Sequence, residues 1–254
     1  MRINKFLAYS GVASRRASDQ MILDGVVKIN GKICSPGDDV DISSDCVTVN
    51  GKVVNDGSVH IIETEDEIAV DGIKVIYQKY IYLMLNKPQG YVSAVYDKHL
   101  PVVTDLVDKE YSHFEVFPVG RLDIDTEGLL ILTNDGALCH RVLSPKSHID
   151  KTYYVKTLLS LKESDTSAFK EGVTLDDGYK TMSAQLDITG ERECTLTICE
   201  GKFHQVKRMM EAIGNKVVYL KRISMGSLCL DENLPLGKIR PLTQEEIKLL
   251  EERR

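Results

Sequence analysis

The sequence lacks any hydrophobic run that approaches the roughly 20 residues of a membrane-spanning helix. Its N-terminus is basic, but the hydrophobic segment of a secretory signal does not follow. These two absences predict a cytoplasmic protein that has no membrane partner. Hydrophobic residues make up 43% and charged residues 28% of the 254 positions, which is typical of a globular chain with one large and one small domain.

Metal-binding patterns are also missing. The six cysteines form no Cys-x-x-Cys pair, and the six histidines show no His-Glu-x-x-His spacing. A zinc centre or a reactive dithiol is therefore disfavoured. Cys194 and Cys199 lie in a β-rich stretch, where we expect them to be packing residues.

The formal net charge of −6 argues against a nucleic-acid partner until its distribution is considered. Residues 1–33 carry six cations against two carboxylates, and residues 201–222 carry six against one. Residues 34–79, in contrast, carry ten carboxylates against three lysines. Local basic patches on an acidic chain can bind phosphate, while the acidic stretch is not expected to face RNA.

The first third of the chain predicts helices followed by short hairpins. Helices are expected over residues 2–9 and 15–24, with Ser14 as the N-cap of the second. The pattern of residues 27–32, a strand entering an Asn-Gly turn, is repeated at residues 47–52 and more weakly at residues 68–74. Arg15 and Arg16 lie at the start of the second predicted helix, where the helix dipole disfavours cations. They therefore either bind an external anion or are solvated charges.

The remainder alternates strands with helices. We predict strands over residues 80–86, 129–132, 151–156 and 194–199, a mixed helix and loop over 101–117, and helices over 136–143, 204–213 and after a capping box at 243–246. In the helix at 204–213, Val206, Met209, Met210 and Ile213 are expected to face the core.

A polar loop before the buried strand at 129–132 organises the chain. It holds Arg121, Asp123 and Asp125, and a loop fixed to a buried strand is well suited to a reactive group. From the residues alone, carboxylates in such a glycine-bounded loop are more often turn or capping residues. Lys207 likewise has two interpretations, a solvated helix charge or a cation that pairs with Asp123 and keeps it anionic.

The same stretch carries a family resemblance. Gly-Arg-Leu-Asp at 120–123, Asp-Thr-Glu-Gly-Leu-Leu at 125–130 and Thr-Asn-Asp-Gly at 133–136 resemble the active-site motif of bacterial ribosomal RNA pseudouridine synthases. The resemblance implies that Asp123 is the catalytic aspartate. A Lys-x-Tyr motif similar to that of the family implies that Tyr153 packs on the target base, although an ordinary strand tyrosine would have the same pattern.

The segment at 204–209, His-Gln-Val-Lys-Arg-Met, is similar to the subgroup that acts on small-subunit ribosomal RNA. Many family members have arginine at the position of Lys207, where it forms a salt bridge with the catalytic aspartate. A lysine provides a point charge without the planar fork of arginine, so the pair would differ in geometry.

A second resemblance covers residues 1–33. Arg-Ile-x-Lys-Phe-Leu at 2–7, Ser-Arg-Arg-Ala at 14–17 and Val-x-Ile-Asn-Gly-Lys at 27–32 resemble the small RNA-binding module of the fourth small-subunit ribosomal protein. Within this module we expect contacts with RNA from Arg2, Lys5, Arg15 and Arg16. Outside it we expect contacts with RNA from Arg121, Lys151, Lys202, His204 and Arg208.

Together these observations predict an α+β RNA pseudouridine synthase. Residues 1–79 would form the RNA-binding domain with an enlarged acidic hairpin region, and residues 80–254 a catalytic domain with a mixed, mainly antiparallel sheet and flanking helices. The expected reaction isomerises a specific uridine of 16S ribosomal RNA, free or within an assembling subunit. It needs no cofactor or metal, and a monomer is expected.

Three alternatives stay open from the sequence. The first is a synthase for a 23S uridine, and the second is a non-catalytic RNA-binding factor in ribosome assembly. The third is a globular protein that binds no RNA and whose basic stretches are only solvated faces.

Overall fold

The structure is a computed structural model that describes residues 1–41, 44–56, 67–70, 73–76, 80–144 and 146–251. The chain divides into two compact units, one of residues 1–81 with 108–116 and the other of residues 82–107 with 117–254. The domain boundary expected at residues 79–80 stays a prediction.

The first unit packs two helices and a sheet around a small core. Ser14 caps the second helix as predicted, because its hydroxyl accepts a hydrogen bond from the backbone N–H of Ala17 at 3.3 Å. The core is formed by nine buried residues, among them Ile3, Phe6 and Val27. The elements of this unit are α1 (Ile3–Tyr9), α2 (Arg15–Leu23), β1 (Val27–Ile29), β2 (Lys32–Ile33), β3 (Cys46–Val49), β4 (Lys52–Asp56), β5 (Glu67–Val70), β6 (Ile73–Ile76) and a 3-10 helix (Lys109–Phe114).

The repeated Asn-Gly segments are hairpin turns. Asn30 and Gly31 have φ values of +51° and +78°, and Asn50 and Gly51 have +51° and +76°. Positive φ at both central residues is the geometry that Asn-Gly favours in a two-residue hairpin. The four strands β1–β4 form a sheet in the order β2-β1-β3-β4, and β5 pairs with β6 antiparallel. The predicted hairpins at residues 27–32 and 47–52 are confirmed, while the turn of the third hairpin lies outside the described residues.

The second unit is built on one large sheet with helices beside it. The main path of the sheet runs β11-β12-β10-β13-β9-β7-β15. Its strands are β7 (Tyr82–Lys87), β8 (Phe117–Pro118), β9 (Glu127–Thr133), β10 (Lys151–Thr157), β11 (Gln185–Gly190), β12 (Glu193–Ile198), β13 (Val217–Met225), β14 (Leu228–Cys229) and β15 (Ile239–Pro241). Its helices are a 3-10 turn (Val103–Leu106), α3 (Gly136–Leu143), α4 (Glu163–Glu171), α5 (Gln205–Ala212) and α6 (Gln244–Glu251).

Only the β9–β13 pair is parallel among the strand pairs described for this sheet. The predicted α+β class with a mixed, mainly antiparallel sheet is therefore confirmed. Strand β9 lies inside the sheet, between β13 and β7, and is buried from Gly128 to Thr133. After it, the carboxylate of Asp135 accepts hydrogen bonds from the N–H groups of Ala137 and Leu138 and caps α3.

Gly128 allows β9 and β13 to approach closely. It has a φ of +103°, and a Cβ there would overlap the carbonyl oxygen of Arg222 and lie 2.8 Å from its backbone nitrogen. Glycine is required both by the conformation and by the space. Gly128 is therefore needed for the close packing of β9 against β13.

Two sequence predictions can be judged at the helix ends. The capping box is confirmed, because Thr243 and Glu246 exchange hydrogen bonds between side chain and backbone at 2.9 and 3.2 Å. The core position predicted for Ile213 is wrong, because α5 ends at Ala212 and Ile213 is its half-buried C-cap residue. Among the described residues, every helix is too short or too polar to cross a membrane.

Candidate active site

The polar loop that precedes β9 is fixed to its surroundings by hydrogen bonds. The hydroxyl of Ser93 donates to the carbonyl of Leu122 at 2.8 Å and accepts from its N–H at 3.0 Å. The carbonyl of Ile124 accepts from the N–H of Gly90 at 2.7 Å. Because Leu122 is buried while Asp123 is only half-buried, the loop presents the Asp123 carboxylate at the surface of a rigid scaffold.

Lys207 reaches this loop from α5. Its Nζ atom lies 3.2 Å from Oδ2 of Asp123 and 2.6 Å from Oδ1 of Asp125. One ammonium group is therefore shared between two carboxylates that are two residues apart. The ion pair of Lys207 with Asp123 is present in the structure, and the shorter contact is with Asp125, whose part was not predicted.

The ion pairs determine the charge state of the lysine and of its closer partner. Burial would lower the pKa of Lys207, but the hydrogen bonds to Asp125 and Asp123 outweigh it and raise that pKa. Burial would likewise raise the pKa of Asp125, and the hydrogen bond and charge of Lys207 lower it below its usual range. Both groups are therefore charged at neutral pH.

His204 lies on the other side of the Asp123 carboxylate. Its Nε2 atom is 3.7 Å from Oδ1 of Asp123, and its ring stacks on that of Phe203 with centroids 3.7 Å apart. Asp123 thus has an ammonium group beside one oxygen and an imidazole beside the other.

Lys87 is a part of the site that the sequence did not reveal. It is fully buried at the end of β7, and its Nζ donates to the carbonyls of Asp123 and Thr126 at 3.0 Å each and of Pro88 at 3.1 Å. Burial lowers its pKa to about 8, against the partly compensating charges of the nearby carboxylates. The Lys-Pro-Gln-Gly turn at 87–90 was the available signal, but its pattern indicates a turn and not a buried cation.

Tyr153 and Lys151 share a face of β10, as the alternation predicted. Tyr153 is buried, and its strand neighbour Arg222 is also buried and donates from Nε to the carbonyl of Leu129 at 2.8 Å. The ammonium of Lys151 donates to the carbonyl of Ile149 at 2.7 Å, and burial lowers its pKa. In this conformation Lys151 is engaged by the protein, and its contact with RNA stays a prediction.

The other basic residues expected to bind RNA in this unit differ in their availability. Arg121 is exposed on the loop, and the Lys202 ammonium lies 4.6 Å from the centroid of the Tyr179 ring. Arg208 is held by Asp176 and by Asp177, the latter at 2.7 Å. An anionic ligand would have to displace these carboxylates before Arg208 could bind it.

In the first unit, two of the four predicted RNA-binding residues lie over one aromatic ring. Lys5 and Arg15 lie over Tyr9, at 5.5 and 5.9 Å from its centroid. Arg15 also lies 3.6 Å from Glu115, and Arg16 is exposed. Arg2 forms an ion pair with Asp39 at 3.4 Å and donates to the carbonyl of Gly37. Their contacts with RNA stay predictions.

The chemistry available to the loop is that of an ionisable carboxylate. Asp123 is partly exposed and faces an ammonium group, an arrangement suited to nucleophilic attack or proton removal. Where the structure describes side chains, it shows no group of three or more His, Cys, Asp or Glu residues that could hold a metal ion.

Comparisons with known proteins agree with this interpretation of the fold. The family model of RNA pseudouridylate synthases matches residues 81–212, which include Asp123, Tyr153 and Lys207, and the S4 domain model matches residues 1–45. The chain belongs to the RNA pseudouridylate synthase family, whose members are isomerases that act on RNA.

Individual relatives cover nearly the whole chain. An uncharacterised RNA pseudouridine synthase of Bacillus subtilis is 45% identical over 99% of this chain and 99% of its own. The ribosomal small subunit pseudouridine synthase A of Haemophilus influenzae is 38% identical over 98% and 99%. A crystal structure of a pseudouridylate synthase superposes with a TM-score of 0.64 at 36% identity and covers 98% and 99%.

Proposed function

We propose that this protein isomerises a uridine of small-subunit ribosomal RNA to pseudouridine, with Asp123 as the reacting carboxylate. The observation that carries the proposal is the position of Asp123. Its carboxylate lies on a rigid loop, half-exposed, and 3.2 Å from the ammonium of Lys207. A carboxylate held in this way is fixed by an ion pair while it remains open to a ligand.

The isomerisation exchanges one glycosidic bond for another. The bond from N1 of uracil to C1′ of ribose breaks, the uracil turns within the site, and C5 bonds to the same C1′. C5 then loses its proton, and N1 gains one. Atoms and electrons balance without an oxidant or reductant. Asp123 serves this sequence either by attacking C1′ or by removing a ribose proton, and both roles require its ionised form.

The neighbouring residues take supporting roles in this proposal. Tyr153 would pack on the target base after the nucleotide leaves the RNA stack. Lys207 would hold the Asp123 carboxylate in place through its ion pair, and Arg121 would position the substrate from the exposed loop. Lys5 and Arg15, which lie over Tyr9, would bind RNA phosphates through the first unit together with the exposed Arg16.

The small-subunit target is supported by the names of relatives. Proteins called ribosomal small subunit pseudouridine synthase A, from Haemophilus influenzae and from Escherichia coli, are 38% and 40% identical to this chain. We accordingly assign a 16S uridine over a 23S uridine. The protein would act in the cytoplasm as a monomer, on free RNA or on an assembling subunit.

The test of Asp123 uses RNA that is tritiated at C5 of uracil. Isomerisation replaces the C5–H bond by a C–C bond and releases tritium to water, so released tritium measures turnover. Asp123→Asn should release none, yet fold and bind RNA like the parent, because the change is isosteric. Asp187→Asn is the matched control, since Asp187 is exposed on β11. Turnover by Asp123→Asn near the parent rate would refute the assignment.

The target is tested separately by mapping pseudouridine in ribosomal RNA from cells with and without this protein. Loss of one 16S pseudouridine is expected, with the 23S pattern unchanged. A loss confined to 23S RNA would replace the substrate but leave the role of Asp123 intact.

A further inference from the structure

Phe203 and His204 form an aromatic stack, and Phe203 has no part in the function described so far. Their ring centroids are 3.7 Å apart and the ring planes differ by 20°. Phe203 leaves 69% of its surface exposed, so its outer face is open to a ligand. A single exposed aromatic is ordinary, but this one is stacked, held in place and adjacent to the candidate site.

The stack depends on an uncommon backbone conformation. Side chains of consecutive residues normally point apart, but His204 has φ +50° and ψ +31°, the left-handed region, at the N-cap of α5. Residues other than glycine seldom adopt this conformation, although histidine does so more often than most, and it concentrates at functional sites. The turn therefore brings two neighbouring rings face to face.

A buried glutamine holds this turn. Oε1 of Gln205 accepts a hydrogen bond from the N–H of Lys202 at 2.8 Å, and its Nε2 donates to Glu200 at 2.6 Å. Gln205 is only 4% exposed, and both hydrogen bonds are partly buried. The stack is thus presented on a rigid support and not on a loose loop.

The inner end of the stack lies at the reacting carboxylate. Nε2 of His204 is 3.7 Å from Oδ1 of Asp123, and the stack leads from there through Phe203 to solvent. Adjacent nucleotides of RNA share one phosphate, so a neighbour of the uridine bound at Asp123 must lie close by. Aromatic faces stack on nucleobases with little regard to sequence.

We propose that the exposed face of Phe203 is a stacking subsite for the nucleobase adjacent to the target uridine. The inference rests on the proposed function, since it places the uridine at Asp123. The subsite stabilises the displaced RNA strand while the uridine is out of the stack. It contributes to binding and not to the bond-making steps.

The first experiment compares the parent with three substitutions of Phe203 in the full-length protein, with tritium release as the readout. Phe203→Ala and Phe203→Leu should raise KM by about tenfold with little change in kcat, because the loss of a stacking aromatic typically weakens binding by this order. Phe203→Trp should keep the parent KM. The melting temperatures should agree, since Phe203 is exposed.

The second experiment removes the base instead of the ring. The RNA is the small-subunit fragment that the parent modifies, made abasic at the nucleotide before or after the target uridine. At one of these two positions the abasic site should raise the KM of the parent by the same factor. For Phe203→Ala, the abasic site at that position should raise KM no further. This non-additivity identifies the stacked base.

The outcomes separate the subsite from the function. If the parent is active and either Phe203→Ala or Phe203→Leu has the same KM as the parent, the subsite alone is overturned. Additive losses at both abasic positions would do the same. Failure of the parent to release tritium from any ribosomal RNA would overturn the proposed function, and the subsite with it.

Discussion

Lys87 should make the stability of the protein depend on pH in an unusual direction. Its ammonium group is fully buried and donates to the carbonyls of Asp123, Thr126 and Pro88. Burial lowers its pKa from 10.5 to about 8. Between these two values the unfolded chain binds a proton that the folded protein has released, so folding becomes more favourable as the pH rises.

The expected size follows from the two pKa values. From pH 8 to pH 9.5 the free energy of unfolding should rise by roughly 1 to 2 kcal/mol from this group, because the slope reaches its full value of about 1.4 kcal/mol per pH unit only where the folded lysine is fully deprotonated. Lys87→Met removes the group and should lack this gain. At pH 7 the variant should also lower kcat, because the carbonyls of the loop that carries Asp123 lose their donor.

The assay is urea unfolding, followed by circular dichroism, of parent and variant at several values between pH 7 and 9.5. The measured quantity is the difference between their free energies of unfolding, because titrations common to both cancel. Lys98→Met is the matched control, since Lys98 is exposed, and its difference from the parent should not change with pH. A constant difference for Lys87→Met would refute the reasoning that burial penalises this ammonium.

Three further predictions concern the site, the first unit and the strand pair. Lys207→Met should lose activity most at acidic pH, because the ammonium that lowers the pKa of Asp125 and pairs with Asp123 is gone, whereas Lys207→Arg keeps most activity. Coinciding pH–rate profiles of Lys207→Met and the parent would exclude a role for these ion pairs. Arg15→Ala combined with Arg16→Ala should weaken RNA binding and reduce the log–log salt slope by about one for each lost phosphate contact, so an unchanged slope would mean that both are solvated charges. Gly128→Ala should prevent stable folding, as judged by soluble yield and melting temperature, while Gly136→Ala, with open space around its Cβ position, should not.

The sequence predicted the elements whose signals are local. Asn-Gly turns, the Ser14 cap and the capping box at 243–246 were found because each depends on residues a few positions apart. The strand at 129–132 was found because a short apolar run bounded by polar turns is typical of a buried strand. Ile213 was misplaced because the end of a helix is set by the chain that follows it and not by periodicity alone.

The contacts of the site were harder to predict because they join distant parts of the chain. The pairing of Lys207 with Asp123 was one of two interpretations that the residues left open, and the family resemblance favoured it, whereas the closer contact with Asp125 was not predicted. Burial of Lys87 could not be predicted, because a lysine after an apolar strand is normally at the surface. A buried lysine of this kind can be recognised only when the carbonyl groups that accept its hydrogen bonds are known.

Two lysines hold the same loop, and they act on different parts of it. Lys87 donates hydrogen bonds to the backbone carbonyls of Asp123 and Thr126, whereas Lys207 forms ion pairs with the carboxylates of Asp123 and Asp125. The path of the loop is therefore fixed by contacts that do not depend on the charge of Asp123. For this reason Asp123→Asn should remove the reacting group and leave the loop in place, whereas Lys87→Met should disturb the loop while every carboxylate remains. A comparison of the two variants therefore separates the chemistry of the site from its geometry.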